Sequence, residues 1–343
     1  MGNKLSGRRI ALIGGAGFIG HNLALRLKAS GAETFVIDSL GVNNYYSFKE
    51  KEDFIPNAKL YLKIIQQRLD LLKEKGISLI IEDARDYVKL TNAIKKLNID
   101  TIIHLAAVAH ADRSNKDPYS TFDHSLRTLE NALDIARSPE LKIKHFVYFS
   151  SSMIYGNFKS GFVTEDTMCN PIGIYGALKF AGEKMVIAYN QVFNLPYTII
   201  RPSALYGPRC VSRRIGQIFI ESAMQGLEIN IKGDGSDRLD FTYIDDLTAG
   251  IENVLENENS KNQIFNITYG ESHSIAQMAK ILKDYFPSCK INYLPKDNLT
   301  PDRGTLSTDK AKKLIGYNSQ YPLAKGFVEY IKWYKSVWDS IAK

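Results

Sequence analysis

The segment Tyr175-Gly176-Ala177-Leu178-Lys179 sets a phenol and an ammonium four residues apart. On a helix such positions share a face, so both groups would project the same way. A free tyrosine ionises near ~10, too high for a base at neutral pH. A neighbouring cation favours the phenolate and makes it a usable base. Upstream, Ser150-Ser151-Ser152 ends the apolar run Phe146-Val147-Tyr148-Phe149. The C-terminal end of a strand in an open parallel sheet faces the ligand crevice. A hydroxyl there can bond a substrate oxygen and guide its proton to Tyr175, which makes Ser151, Tyr175 and Lys179 the expected catalytic set.

These groups need elements to position them. The run Ile10-Ala11-Leu12-Ile13 leads into Gly14-Gly15-Ala16-Gly17-Phe18-Ile19-Gly20, then into a helix-like stretch, His21 to Lys28, closed by Gly31. Strand, glycine turn and helix form the context that binds a dinucleotide. The backbone can approach a pyrophosphate, and the helix N-terminus offers free N–H groups and partial positive charge. Glu33 to Ile37 reads as a second strand ending at Asp38, eighteen residues beyond Gly20. A carboxylate there accepts from ribose hydroxyls and repels a 2′-phosphate, so NAD is expected over NADP. The cationic nicotinamide ring would reinforce the effect of Lys179 on Tyr175.

Further strands are expected at 77–81, 101–107, 146–149 and 197–200, with helices at 60–75, after the loop 83–86 and ending near Lys96, and at 119–137 between them. This alternation predicts an α/β fold, a Rossmann-type doubly wound parallel sheet. Beyond it, short apolar runs and helices near 274–285 and 323–338 predict a smaller mixed α/β C-terminal substrate domain. The expected division is 1–200 for the NAD-binding domain and 201–343 for the second, with part of 235–270 returning to the first.

The chain has 343 residues, 44% hydrophobic and 24% charged, and a net charge of +7. Its basic residues are interleaved with acidic ones, which argues against nucleic-acid binding and leaves room for an anionic small substrate. Cys169, Cys210 and Cys289 are sparse and lack metal-ligand spacing, so no metal and no disulfide framework are expected, and a reducing cytoplasmic setting fits. No stretch is long and apolar enough for a membrane span. Met1-Gly2 with Ser6 matches an acylation signal only by coincidence, since strand one follows at once.

The motifs GGAGFIG, HLAA (104–107), SSSMIYG (150–156), YGALK (175–179), RPSALYGPR (201–209) and DFTYIDDLTAG (240–250) occur in the order of the extended short-chain dehydrogenases/reductases. The chain most resembles the NAD-dependent nucleotide-sugar epimerase/dehydratase group, over nearly its whole length. The resemblance implies that Tyr175 takes a proton from a sugar hydroxyl, normally at C4, as hydride passes to NAD and leaves a 4-keto sugar. Lys179 would hold the nicotinamide ribose, and Ser151, four residues before Tyr155, would be the catalytic hydroxyl. Asp83 and Ala84 would lie near the adenine, Ala106 and Ala107 along the cofactor, and Pro202 near the nicotinamide. It also implies a homodimer through helices near 119–137 and 175–194, and a bacterial cell-surface polysaccharide route.

The family's 4,6-dehydratases carry Asp and Glu after the catalytic hydroxyl, to eliminate water. Here Ser152 and Met153 stand there, and a thioether is neither acid nor base. The expected activity is therefore a nucleotide-sugar 4-epimerase working through a transient 4-keto sugar and reusing its NAD. The alternative is a 4-dehydrogenase or 4-ketoreductase without inversion. Asn43-Asn44-Tyr45-Tyr46 and the helical insertion after it resemble the uronate 4-epimerases. Three positions depart from the family: Ala204 and Ser125 where it has Asn, and Leu239 where it has Arg, with Arg238 one place earlier. The guanidinium fork matches phosphate oxygens. Arg209, Arg213, Arg214, Arg238 and Arg303 are accordingly the candidates for the substrate diphosphate, with Ser152 beside them. Arg303 is the one best supported by family position. His104 reads as structural, and Cys210 has no base partner in sequence.

Overall fold

A computed structural model describes residues 4–108, 111–296 and 301–340. Met1 and Gly2 of the acylation-like signal lie outside the described residues. Seven parallel strands form the central sheet: β1 (Arg9–Ile13), β2 (Glu33–Ile37), β3 (Ser78–Ile80), β4 (Thr101–His104), β5 (His145–Phe149), β6 (Tyr197–Arg201) and β7 (Gln263–Asn266). Their order is β7-β6-β5-β4-β1-β2-β3. The order reverses between β1 and β4, where Ile10 pairs with Thr34 on one side and Thr101 on the other. Such a switch point is where an open α/β sheet binds its ligand. β7 lies beyond residue 201, so a late segment completes the early sheet.

The main helices are α1 (Phe18–Ala29), α2 (Ala58–Glu74), α3 (Tyr87–Lys96), α4 (Thr128–Ala136), α5 (Gly173–Phe193), α6 (Ile215–Met224), α7 (Ile244–Glu256), α8 (Ile275–Tyr285) and α9 (Leu323–Asp339). The two-residue period of a strand divides the sheet's side chains between two cores. Ile10, Leu12 and Val147 pack with Leu23 and Leu27 of α1 and Leu247 and Ile251 of α7. Ala11, Ile13 and Phe146 pack with Ile94 of α3, Leu133 of α4 and Val186 of α5 on the opposite face. Both faces are covered, which is why the strands read as continuous apolar runs.

A third core forms away from the sheet. Tyr61, Ile64 and Ile65 of α2 meet Phe219 and Ile220 of α6, Met278 and Leu282 of α8, and Phe327, Tyr330 and Tyr334 of α9. The inserted helix thus packs with the C-terminal helices. A buried carboxylate pins it there: Glu221 accepts from Tyr61 Oη (2.7 Å), Asn57 Nδ2 (2.9 Å), Gln217 Nε2 (2.7 Å) and Tyr334 Oη.

Two expected elements differ in detail. The strand expected over 101–107 ends at His104, because the chain turns at Leu105 to run beneath the glycine turn. The helix expected over 119–137 is interrupted by a π turn at Asp123–Arg127. Thr128 Oγ1 bonds the carbonyls of His124 (3.0 Å) and Ser125 (3.2 Å) and also meets His104 Nε2 at 3.2 Å. Its hydroxyl competes inside the helical ladder.

Candidate active site

The glycine turn fits tightly below and is open above. Gly14 has φ +79°, and a Cβ on it would lie 2.6 Å from the Ala106 nitrogen. Gly17, by contrast, has only the Gly14 oxygen nearby, 3.4 Å from where its Cβ would lie. Gly17 is also the N-cap of α1, and no side chain caps that helix. Its first N–H groups are therefore available to an anion. Asp38, at the end of β2, accepts from the Ala16 N–H (2.9 Å) and the Leu40 N–H (2.8 Å). Burial raises its pKa, and those two N–H groups oppose the rise. Each oxygen keeps further lone pairs for ribose hydroxyls.

Gly14, Gly17, Phe18, Ile19, Gly20, Asp38, Asp83, Ala84, Ala106 and Ala107 line a single groove of about 160 Å³. His124 and Thr128 of the π-turn region line it too. The groove opens into a larger cavity of about 400 Å³. Ile19, Leu105, Ala107, Leu205 and Arg214 line both. Ser151, Ser152, Tyr175, Lys179 and Pro202 line the larger cavity, so the expected catalytic groups share one space with the expected nicotinamide end of the groove.

Local structure aims these groups. Ser151 caps the 3-10 turn Ser152–Tyr155, its Oγ accepting the Met153 N–H at 3.2 Å. One lone pair is thereby occupied and the hydroxyl proton is left to donate to a substrate oxygen. Tyr175 and Lys179 lie one turn apart on α5. The Lys179 ammonium donates to the Phe149 carbonyl at 2.6 Å and sits 5.1 Å from the Tyr148 ring centre. Burial lowers its pKa to about 8, with Glu183 opposing the fall. His104 lies behind it, neutral, because burial and the Lys179 charge push its pKa down to about 3.

Under α5 is a network that the sequence reading does not contain. Arg201 donates to both oxygens of Glu183 (3.0 and 2.8 Å), to Tyr155 Oη (2.8 Å) and to the Glu165 carbonyl (2.9 Å). Glu183 follows Lys179 by four residues, and that helical spacing was the available signal.

The five candidate arginines divide. Arg303 lines the cavity and donates to Met153 Sδ at 2.7 Å and to Ser152 Oγ. Its Nε is buried without a partner, and burial lowers its pKa to about 10, which leaves it charged at neutral pH. Arg213 and Arg214 also line the cavity. Arg209 and Arg238 do not. Arg209 turns to α1 and bonds His21 Nε2 (2.9 Å) and Asn22 Oδ1 (2.8 Å). Its backbone lies in the left-handed region, with φ +65°. Arg238 is held on the Ser272 hydroxyl (3.0 Å) and carbonyl, and Leu239 takes the position facing the cavity. Cys210 lines the cavity 3.0 Å from the Ser212 hydroxyl. No Asp or Glu is among the described lining residues, whereas Lys179, Arg213, Arg214 and Arg303 are.

The model of the NAD dependent epimerase/dehydratase family matches residues 10–268. The chain belongs to that family. Its relatives include an uncharacterised UDP-glucose epimerase, YtcB, of Bacillus subtilis (strain 168), 30% identical over 96% of this chain and 99% of the relative. UDP-glucuronate 4-epimerase 4 of Arabidopsis thaliana is 26% identical over 98% of this chain and 78% of its own. Among solved structures, a UDP-glucuronic acid 4-epimerase from Bacillus cereus, in complex with UDP-glucuronic acid and NAD, superposes with a TM-score of 0.82. It is 26% identical and covers 96% of this chain and 99% of its own. NAD is the family's cofactor, and the uncapped helix, the open face of Gly17 and the Asp38 carboxylate suit its diphosphate and adenosine ribose. Among the described residues no helix is long and apolar enough to cross a membrane.

Proposed function

We propose that the protein is a UDP-sugar 4-epimerase that works through a 4-keto sugar. The observation that carries this reading is the cavity wall: Ser151, Tyr175 and Lys179 line it, and no described lining residue is a carboxylate. NAD supplies a hydride acceptor and donor for the sugar C4. Tyr175, as phenolate, takes the proton from O4 and later returns it. Ser151 donates to the same oxygen, and Lys179 stabilises the phenolate and holds the nicotinamide ribose. Arg303, with Arg213 and Arg214, grips the diphosphate. Inversion requires only that the keto sugar rotate before hydride returns to its other face.

Loss of water across C5 and C6 needs an acid for the leaving hydroxide and a base at C5. Ser152 and Met153 supply neither, which argues against a 4,6-dehydratase. A net 4-dehydrogenase would use the same residues and is the second reading. A cavity lined by arginine and lysine, with no carboxylate among its described lining residues, favours an acidic sugar such as a hexuronate. Exposed Tyr119, Phe122, Val192 and Phe193 lie on the two helical regions through which a homodimer would pack.

The test incubates the enzyme with UDP-glucuronate, UDP-glucose, UDP-N-acetylglucosamine, dTDP-glucose and GDP-mannose. Absorbance at ~340 nm follows the cofactor, and NMR reads the product. The expected result is a C4-inverted UDP-sugar without lasting NADH, lost in Tyr175→Phe by about 10²–10⁴-fold. Stoichiometric NADH, or a 4-keto-6-deoxy product, would overturn the proposal.

A further inference from the structure

The insertion between β2 and β3 contributes Val42, Asn43 and Arg68 to the wall of the cofactor groove. Arg68 is the unusual one. It is 1% exposed, and its Nε and Nη2 both donate to the Arg209 carbonyl, at 3.0 and 2.6 Å. Its Nη1 is buried and has no hydrogen-bond partner. Among the described residues no carboxylate lies within ion-pair distance. Asp38, whose field acts on it, already accepts two backbone N–H groups. Burial draws the Arg68 pKa down to about 10, so it stays charged at neutral pH.

A buried cation without a counter-charge is costly, and so is a buried N–H without an acceptor. A dianionic ligand group would settle both. The location agrees: the Arg68 charge is felt by Asp38, at the end of β2, and by His21, in the first turn of α1. Those elements bracket the passage from adenosine ribose to diphosphate. α1 offers that diphosphate N–H groups and carries no acidic residue in its first turn.

We propose that Arg68 is a cofactor-anchoring residue: its Nη1 donates to the diphosphate of bound NAD while the same guanidinium holds the Arg209 carbonyl. One side chain then joins the cofactor to the loop 207–214, which brings Arg213 and Arg214 to the sugar cavity. That loop turns through positive φ at Arg209 (+65°) and Arg213 (+50°), a conformation that its surroundings must enforce. Cofactor occupancy therefore sets the loop that receives the sugar nucleotide, and cofactor-free enzyme binds the sugar nucleotide more weakly.

The test strips the cofactor from wild type, Arg68→Gln and Arg68→Lys, then titrates each calorimetrically with NAD, ADP-ribose and adenosine. Gln can still donate to the Arg209 carbonyl but carries no charge, whereas Lys keeps the charge. Arg68→Gln is expected to lose about 10- to 100-fold in affinity for NAD and ADP-ribose. Arg68→Lys should fall between, and adenosine should bind all three within about twofold. Unchanged NAD affinity in Arg68→Gln, or an equal loss for adenosine, would overturn the assignment and leave Arg68 as a loop brace. A structure of wild type with NAD decides the matter even if neither variant folds. Nη1 within ~3.2 Å of a phosphate oxygen supports the proposal, and a separation beyond about 4 Å refutes it.

Discussion

Replacing Arg201 by Met isolates the ion pair beneath Lys179. The two side chains are 4% and 2% exposed, and Arg201 makes four hydrogen bonds, two of them to Glu183. Removing the guanidinium leaves the Glu183 carboxylate buried without a donor, and such a loss costs about 3–5 kcal/mol. Tyr155 and the Glu165 carbonyl lose one partner each, which adds about 1 kcal/mol. Arg201→Met combined with Glu183→Leu removes both charges and should recover most of that, ending within roughly 2 kcal/mol of wild type. Urea unfolding at one pH, followed by circular dichroism, measures all four corners of the cycle. A loss below about 1 kcal/mol in the single variant would refute the reasoning. So would a double variant no more stable than the single.

Lys179 should shape the pH profile. Its charge is lost above about pH 8, so kcat/KM should fall on the alkaline side with an apparent pKa near that value, and the limb should move lower in Glu183→Leu. For stability the sign is opposite. Between about pH 8 and the ordinary 10.5 the unfolded chain holds a proton that the folded chain lacks. Stability from this group therefore rises across that window, and the burial penalty is full below it; chemical denaturation at pH 7.5 and 9.5, in wild type and Lys179→Met, reads the difference. Ala204 sits at φ +30° in the cavity wall, a conformation that Asn adopts more readily. Ala204→Asn should raise stability by ~0.5–1 kcal/mol, and a loss of stability in urea would count against strain there.

The parts of the site legible in the sequence are those set by short spacing. Tyr175 and Lys179 need only a helix; the end of a strand marks Ser150-Ser151-Ser152, and the family's spacing to Tyr155 selects Ser151 among them. Gly14 to Gly20 and Asp38 need only the β1-α1-β2 unit. Residues whose direction depends on irregular backbone were not legible. Arg209 and Arg213 stand in one loop and both have positive φ, yet Arg209 reaches His21 and Asn22 of α1 while Arg213 faces the cavity. Arg238 and Leu239 are neighbours in a two-residue strand, so a shift of one position exchanges which of them faces the ligand. Arg68 with Arg209 pairs residues far apart in the chain, which no local pattern announces, and the spacing that sets Glu183 beside Lys179 says nothing of its partner Arg201. The π turn was hidden for a related reason: a Thr at position 128 is ordinary in a helix until its hydroxyl finds His104.

The lodging of α2 among the C-terminal helices bears on how the molecule can be cut. Tyr61, Ile64 and Ile65 come from the first fifth of the chain, yet their partners Phe327, Tyr330 and Tyr334 come from its last twentieth. A fragment ending near residue 200 would lose those partners together with β7, exposing an apolar helix face and an unpaired edge of the sheet. The late fragment would lack the helix that fills its own core. Unfolding should therefore proceed as a single cooperative event, and limited proteolysis should yield nicked but associated halves instead of a stable dinucleotide-binding piece.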